Sequence, residues 1–492
     1  MTLKLMYITN NSDVALIAEK YGVNRIWIDL ETLGKEERQK GMNTVKSKHS
    51  IEDIKKIKPL LSKSELLVRI NPWNENSIRE INDVVSAGAD IIMLPMWKSS
   101  IEVSNFINTV GNRCKTTLLL ETKEAVECLD EVLKNYNMDE IHIGLNDLHL
   151  SYGMTFMFEL LANGTVEKLI QKIKTKGIPY GFGGIARLGE GDLSAEKIIM
   201  EHYRLGSTRV ILSRSFCNAD EIKDISYIEK VFRENIRELH DFEKKISYIS
   251  DFSKNQNDVK ITVEKIVSMK KEKKMYFKVR RVIDTIIALL MLFILLPVLL
   301  IIALWIKIDS KGTVIFKQKR IGKNGISYDI YKFRTMVQDA QNMGTGVFSF
   351  AGDPRITKVG AFLRKTSLDE LPQLWNIVKG DMAFVGPRSP VVGHFPEYND
   401  LKDEYKKRFS VLPGITGLAQ CVGRNELPWD EKVVLDNQYI DNVKKYGIIY
   451  DIKIWCMTFK RVFSMNDVEE SAENMEKSKI ALRNMVKTDK EK

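Results

Sequence analysis

TTLLLE (116–121) and EIHIGL (140–145) decide how the first half of the chain is read. Each is a short apolar and β-branched run, and the stretch between them has the apolar spacing of a helix. The same unit recurs outward from this pair. LKLMYIT (3–9), NRIWIDL (24–30), LLVRIN (66–71) and DIIMLP (90–95) precede it, and IPYGFGG (178–184) and TRVILS (208–213) follow. Eight strand runs separated by helical patterns predict a (β/α)8 TIM barrel over residues 1–217, with a doubly wound open sheet as the alternative.

Asp29, Arg69, Glu121 and Asp147 fall at or just past the C-terminal ends of strand runs, the rim where barrels of this kind gather catalytic groups. Glu121 and Asp147 supply the oxygens that a hard divalent cation takes, with water and substrate completing its shell. Arg69 is suited to grip a small carboxylate in bidentate fashion. Helix capping is the competing explanation for each. LLLETKEAVECLDEV (118–132) and IHIGLNDLHLSYG (141–153) resemble the metal-binding segments of the pyruvate-type class II aldolase and citrate lyase β-subunit family, which adopts a phosphoenolpyruvate/pyruvate barrel. That resemblance implies Glu121 and Asp147 as ligands of Mg2+ or Mn2+ and Arg69 as the binder of a small 2-oxo acid. It also marks His49, in KSKHSIED, as a candidate catalytic histidine. Two departures weaken aldol chemistry: Asp-Leu-Glu-Thr (29–32) lacks the histidine that usually follows, and Gly-Leu-Asn-Asp (144–147) lacks the usual proline.

The 492 residues call for two or three domains, and a formal charge of +10 calls for an anionic partner. The five cysteines have no metal-ligand or CxxC spacing, and the first residues lack a signal peptide's pattern, so a reducing, cytosolic setting is expected. Residues 218–274 are dense in Lys, Glu and Asp with apolar residues at helical spacing. They read as a charged helical linker that closes the barrel or pairs with another copy as a homodimer, with SKNQND (253–258) as its boundary loop. MKKEKKMYFKVRR (269–281) then precedes an unbroken apolar run, Thr285–Ile306. The run is long enough to cross a hydrocarbon core. Pro297 stands mid-run and positive residues flank both ends, so a re-entrant helix (within 275–309) that breaks at Pro297 and returns to the cytosolic face fits better than a crossing.

Arg364-Lys-Thr-Ser-Leu-Asp-Glu-Leu-Pro-Gln-Leu-Trp-Asn376 places two carboxylates, Asp369 and Glu370, side by side. Such a pair is ordinarily solvated helix surface. Its surroundings here are KFRTM (332–336), SLDELPQ (367–373), GDMAFVGPR (380–388) and PGITGLAQ (413–420), in that order after an apolar run. Residues 275–465 thereby resemble the bacterial sugar transferases, monotopic phosphoglycosyltransferases. The resemblance implies a membrane-associated α/β catalytic domain over 310–465, with Asp369 as nucleophile and Glu370 holding Mg2+. It further implies transfer of a sugar 1-phosphate from a nucleotide sugar, expected to be a UDP sugar, to polyprenyl (undecaprenyl) phosphate. Partners are then the nucleotide sugar, the polyprenyl phosphate and inner-membrane lipids, at the cytoplasmic face of a bacterial inner membrane, and nucleic acid is not expected. Arg364, Arg388 and Arg424 are phosphate or donor-binding candidates, with surface ion pairs as the alternative. The family commonly has proline directly after the arginine where this chain has Arg388-Ser389-Pro390. The tail, 466–492, is polar and reads as frayed helix or disorder. Two other readings stand beside this one: a metal-dependent 2-oxo-acid lyase tethered by its C-terminal half, and a barrel that acts only as ligand sensor or oligomerisation module.

Overall fold

The computed structural model describes residues 2–34, 49–219, 222, 224–340, 343, 352–423, 427–463 and 472–486. The chain divides into two compact units, Met1–Lys271 and Glu272–Lys492.

The first unit is built on a closed parallel barrel of β1 (Lys4–Ile8), β2 (Arg25–Asp29), β3 (Glu65–Arg69), β4 (Ile91–Leu94), β5 (Lys115–Leu120), β6 (Glu140–Ile143), β7 (Tyr180–Ile185) and β8 (Arg209–Leu212). β1 pairs with both β2 and β8, which closes the ring. All eight predicted runs are strands. A parallel strand in a barrel is buried on both faces and therefore reads as a nearly continuous apolar run. The period of two sorts each strand: Leu5, Ile26, Ile28, Leu66 and Val68 face the helices, while Met6, Trp27, Leu67, Ile91 and Leu119 fill the barrel.

Inward positions also carry charge at both ends. At the N-terminal end Arg25 donates two 2.6 Å hydrogen bonds to Glu140 and one of 2.9 Å to Glu65, and Arg209 pairs with the same Glu140. Burial pushes Glu140 up, but Arg25 and Arg209 outweigh it and bring the carboxyl down to about 2. This plug is two residues below Trp27, and the C-terminal rim is two residues above it.

The unit ends at Lys271 rather than at residue 217. Helix Ile225–Ile246 packs Phe232 edge-on to Tyr7 at 5.0 Å, and Glu243 accepts a 2.8 Å bond from the Leu3 amide. SKNQND is not a loop: it opens the helix Ser253–Asp309, and Asn255 donates to Glu201 at 2.8 Å. Val259, Val263, Ile266 and Val267 are buried in the barrel's core. Their i, i+4, i+7, i+8 spacing makes one apolar face, and each buried aliphatic side chain contributes ~1.5–3 kcal/mol, enough to dock a helix whose other faces are charged.

In the second unit the rest of the Ser253–Asp309 helix is continuous through Pro297; two helices separated at the proline are not what forms. A mid-helix proline costs about 3 kcal/mol. Side chains on both sides of it are held in cores of the same unit: Ala288, Met291, Leu292 and Leu295 in one, Leu299, Ile302, Ala303 and Ile306 in another. Two small sheets follow, the antiparallel hairpin β9 (Ile315–Ile321)–β10 (Ser327–Phe333) and the parallel pair β11 (Ala383–Val385)–β12 (Gly414–Thr416). The tail takes the helical alternative, but docked rather than frayed. Ala472–Met485 is a helix whose Ala481 and Met485 are buried, and the Met485 carbonyl accepts from the Lys402 amide at 3.0 Å. Two apolar side chains one turn apart suffice to dock it despite its polar composition.

Candidate active site

Asp369 and Glu370 lie on a single 310 turn, Leu368–Glu370, entered through Ser367 in the left-handed conformation (φ 56°, ψ 16°). A serine held at positive φ is strained, and such strain concentrates at functional turns. Leu368 and Leu371, which bracket the carboxylates, pack with Phe333, Val359 and Leu363 against Ile302 and Ile306 of the long helix. The apolar run therefore supports the turn directly. Helix Gln373–Lys379 continues from it and is tied to β10 by Asn376, which accepts from the Tyr331 amide at 3.0 Å and donates to the Asp329 carbonyl at 2.7 Å.

Cations surround the pair. Lys332 Nζ is 2.9 Å from Glu370 Oε1 and 3.7 Å from Asp369 Oδ2, and Arg388 donates to Glu370 Oε1 at 3.0 Å. Arg364 is anchored by a 2.9 Å bond from Nε to Thr335 Oγ1, and its charge also reaches Asp369. Burial pushes the Asp369 carboxyl above the ordinary range. Lys332 works against that shift, Glu370 adds to it as a like charge, and Arg364 and Arg388 oppose it. The Arg388 backbone is fixed in turn: its carbonyl accepts from Arg408 at 2.7 Å, and Arg408 pairs with buried Asp436 at 2.8 Å. Arg320 bonds the Ser389 carbonyl at 2.8 Å and Tyr328 the Ser389 hydroxyl at 2.8 Å, so the departure Arg388-Ser389-Pro390 gives this loop an extra polar anchor.

The structure brings Asp369, Glu370, Arg364 and Arg388 together. Arg424 lies outside the described residues. Lys332 was not singled out by sequence reasoning. Its signal is its place in KFRTM, on a strand directly after Tyr331, where a lone lysine on a buried face needs acidic partners. Among the described residues no group of three or more His, Cys, Asp or Glu is gathered to enclose an ion. Two adjacent carboxylates nonetheless suit Mg2+, which keeps several waters and binds through one or two carboxylates plus substrate phosphates.

The barrel rim has a different balance. Arg69 donates to Asp29 at 2.9 and 2.8 Å and lies 3.2 Å from Glu31. Burial works against its charge, but Asp29 and Glu31 outweigh burial and raise it. The carboxylate-gripping arginine is therefore occupied by the protein's own acids. His49 Nδ1 accepts from the Asp29 amide at 2.9 Å, which leaves Nε2 as the protonated nitrogen. Glu121 is buried, accepts from the Met96 amide at 3.1 Å, and is pushed well up by burial and then by Asp147. A Cβ at Gly144 would come within 2.8 Å of Glu121 Oε2, so glycine is what lets the two strands present this carboxylate. Glu121 and Asp147 repel one another, a pairing that a hard divalent cation relieves, and they fit Mg2+ or Mn2+. Glu31 was missed because nothing but its neighbours separates it from a loop acid.

Residues 275–465, which hold the whole Asp369 constellation, match the model of the bacterial sugar transferases. Over 192 residues the chain is 35% identical to the uncharacterized sugar transferase EpsL of Bacillus subtilis, a match that covers 39% of this chain and 91% of that one. The chain belongs to the bacterial sugar transferase family. Within this bacterial sugar transferase, residues 4–178 match the model of the HpcH/HpaI aldolase/citrate lyase family. The UDP-glucose:undecaprenyl-phosphate glucose-1-phosphate transferase of Escherichia coli is 41% identical over 186 residues, 37% of this chain and 40% of that one. The chain spans well under half the length of several such curated relatives. Among solved structures, an HpcH/HpaI aldolase/citrate lyase family protein from Burkholderia cenocepacia J2315 aligns with 49% of this chain and 95% of its own, at 12% identity and a TM-score of 0.34.

Proposed function

We propose that this sugar transferase moves a sugar 1-phosphate from a UDP sugar to undecaprenyl phosphate through a covalent intermediate on Asp369, the first step of a surface glycan. The observation that carries the reading is the carboxylate pair, buried Asp369 and half-buried Glu370, under three cations. An anionic nucleophile approaching an anionic diphosphate needs such charge around it. An Asp369 oxygen attacks the β-phosphorus, the bond from that phosphorus to the bridging oxygen breaks, and UMP leaves with the oxygen. The sugar phosphate remains as an acyl phosphate on Asp369. A phosphate oxygen of the lipid then attacks the same phosphorus, releases the carboxylate and gives undecaprenyl diphosphate sugar. Lys332 and Arg388 hold Glu370 in place and neutralise the incoming phosphates. Mg2+, when bound, supplies charge neutralisation on the diphosphate, and Glu370 is the residue to hold it.

Both halves of the apolar run support a site at one face of a membrane. The stripe Ala288, Met291, Leu295, Ile302 and Ile306 is packed in cores of the catalytic unit, while Phe293, Ile294, Leu300, Ile301 and Leu304 are exposed. A helix that crossed the bilayer would carry its packed unit into hydrocarbon, so a monotopic arrangement at the cytoplasmic face fits the burial pattern. In the barrel, Glu121 and Asp147 favour binding of a divalent cation. Arg69, occupied by Asp29 and Glu31, and Thr32, where the aldolases carry histidine, do not favour carbon–carbon cleavage.

The test is to incubate the full chain with UDP sugars in the absence of lipid. The expected result is a burst of UMP and a mass increase of one phospho-sugar on the peptide bearing Asp369. Both should vanish in Asp369→Asn, a loss of roughly 10³-fold or more. Undiminished UMP release in that variant sinks the nucleophile assignment.

A further inference from the structure

The hydrophobic cluster under the catalytic turn presses it against the long helix, but apolar packing is non-directional and does not by itself fix how far the helix slides or rotates. Directional bonds do, and they hold the helix on both sides of the apolar run: before it Arg280 bonds the Val385 carbonyl and Arg281 the Ile377 and Val378 carbonyls, and beyond it a second set lies at the helix's last residues. Arg334 is buried and donates from one amino group to the Lys311 carbonyl at 2.7 Å. From the other it donates to the Ser310 carbonyl at 2.8 Å and the Ser310 hydroxyl at 2.9 Å. A guanidinium at the carbonyl end of a helix satisfies orphan acceptors and opposes the negative end of the helix dipole. The approach is built in: Gly312 has φ +127°, and a Cβ there would overlap the Arg334 guanidinium. From the same helix end Asp309 accepts a 3.0 Å bond from the Val359 amide, in the first turn of the helix Lys358–Lys365.

These two bonds run to the two elements that carry the site. Arg334 is two residues beyond Lys332 on the continuation of β10, and its own amide donates to the Val314 carbonyl at 2.9 Å. Val359 opens the helix that carries Arg364 in its last turn and leads through Ser367 to Asp369. The exit of the apolar run is thus clamped to both the cation strand and the nucleophile's helix.

We propose that Arg334 and Asp309 are positioning residues that set the register of the membrane helix against the catalytic turn, and so present the lipid phosphate, but not the soluble donor, to Asp369. This rests on the two-step transfer proposed above. Asp369, Glu370, Lys332 and Arg388 meet the donor from water, and none of their hydrogen bonds described above reaches residues 309–311. The acceptor arrives along the helix, and its phosphate must meet the acyl phosphate at a fixed depth. A loosened helix end therefore taxes the second step.

The test uses the full chain reconstituted in lipid nanodiscs, with Arg334→Met, Arg334→Lys and Asp309→Ala. For Arg334→Met and Asp309→Ala the expected result is a KM for undecaprenyl phosphate raised roughly fivefold or more, with the lipid-free UMP burst within about twofold of wild type. Arg334→Lys, which keeps one donor group, should recover part of the loss. Equal loss in burst and lipid step, or no change in Asp309→Ala, overturns the proposal, and Asp309→Ala decides alone if Arg334→Met does not fold. Amide hydrogen exchange gives a readout independent of activity: residues 306–313 should lose protection in the variants while 299–303 keep theirs. If wild type shows no burst, the transfer reading fails and the exchange pattern still decides the clamp; unchanged protection at 306–313 overturns it.

Discussion

The two polar centres of this chain are built from the same side chains in opposite proportion. At the barrel rim one arginine, Arg69, is shared by Asp29 and Glu31, which leaves Glu121 and Asp147 facing each other as like charges. At the transferase centre two carboxylates, Asp369 and Glu370, stand under Lys332, Arg364 and Arg388. The first arrangement is short of positive charge and suits a cation; the second has positive charge in hand for an arriving diphosphate. Counting acids alone would have assigned both the same chemistry. Which cations each acid meets separates them.

The largest effect that sharpens this contrast lies below the rim. Arg25→Met removes two hydrogen bonds from Glu140 and leaves Arg209 as its remaining partner, which should destabilise the barrel by about 3 kcal/mol in chemical denaturation. The paired Glu140 is held near 2, so its contribution in wild type is present above the ordinary carboxylate range and is lost only as pH falls through about 2. A shift under about 1 kcal/mol would show that the plug is not what holds the strands' lower ends.

A smaller effect, roughly 10- to 100-fold in turnover, is expected from Lys332→Met. Lys332 is the foremost charge opposing the upward shift of Asp369, so its removal raises that carboxyl further. The nucleophile is the ionised form, and activity falls as pH drops through its pKa. The acid limb of the pH–rate profile should therefore move to higher pH in the variant. An unmoved limb would assign it to another group.

The smallest effect, about tenfold in affinity, is expected for Mn2+ at the rim in Glu121→Gln, measured by titration calorimetry. Wild-type affinity should fall as pH drops through the raised Glu121 pKa, and the variant should lose that dependence. Equal binding by both proteins at every pH would remove the cation from the rim and erase the contrast with the transferase centre.

Legibility in the sequence followed burial. All eight barrel runs were readable because both faces of a parallel strand are dry, so the signal lies in consecutive residues. Asp369 and Glu370 were readable as a pair on one turn, and their neighbours Arg364 and Arg388 through the motifs that carry them. Lys332 and Glu31 were not, because a charged residue shows its role only through partners far along the chain: Lys332 meets Glu370 thirty-eight positions on. The segment 218–274 was legible as amphipathic helix that closes the barrel, but its boundary loop at 253–258 and the docking of the tail helix were not, for a related reason. Their charge was conspicuous and their few apolar positions, Val259 and Val263 or Ala481 and Met485, were not, yet those positions decide docking.

The sequence by itself determined the two family resemblances, the eight strand runs, the apolar run and the identity of the carboxylate pair, since these depend on local pattern and on side chains adjacent in the chain. The tertiary structure alone decided that Arg69 is spent on Asp29 and Glu31, that Lys332 sits against Asp369 and Glu370, and that the helix through Pro297 is packed in cores of one unit and bonded at its end by Arg334. Electrostatic balance and helix register are sums over neighbours in space, and a one-dimensional pattern does not contain them.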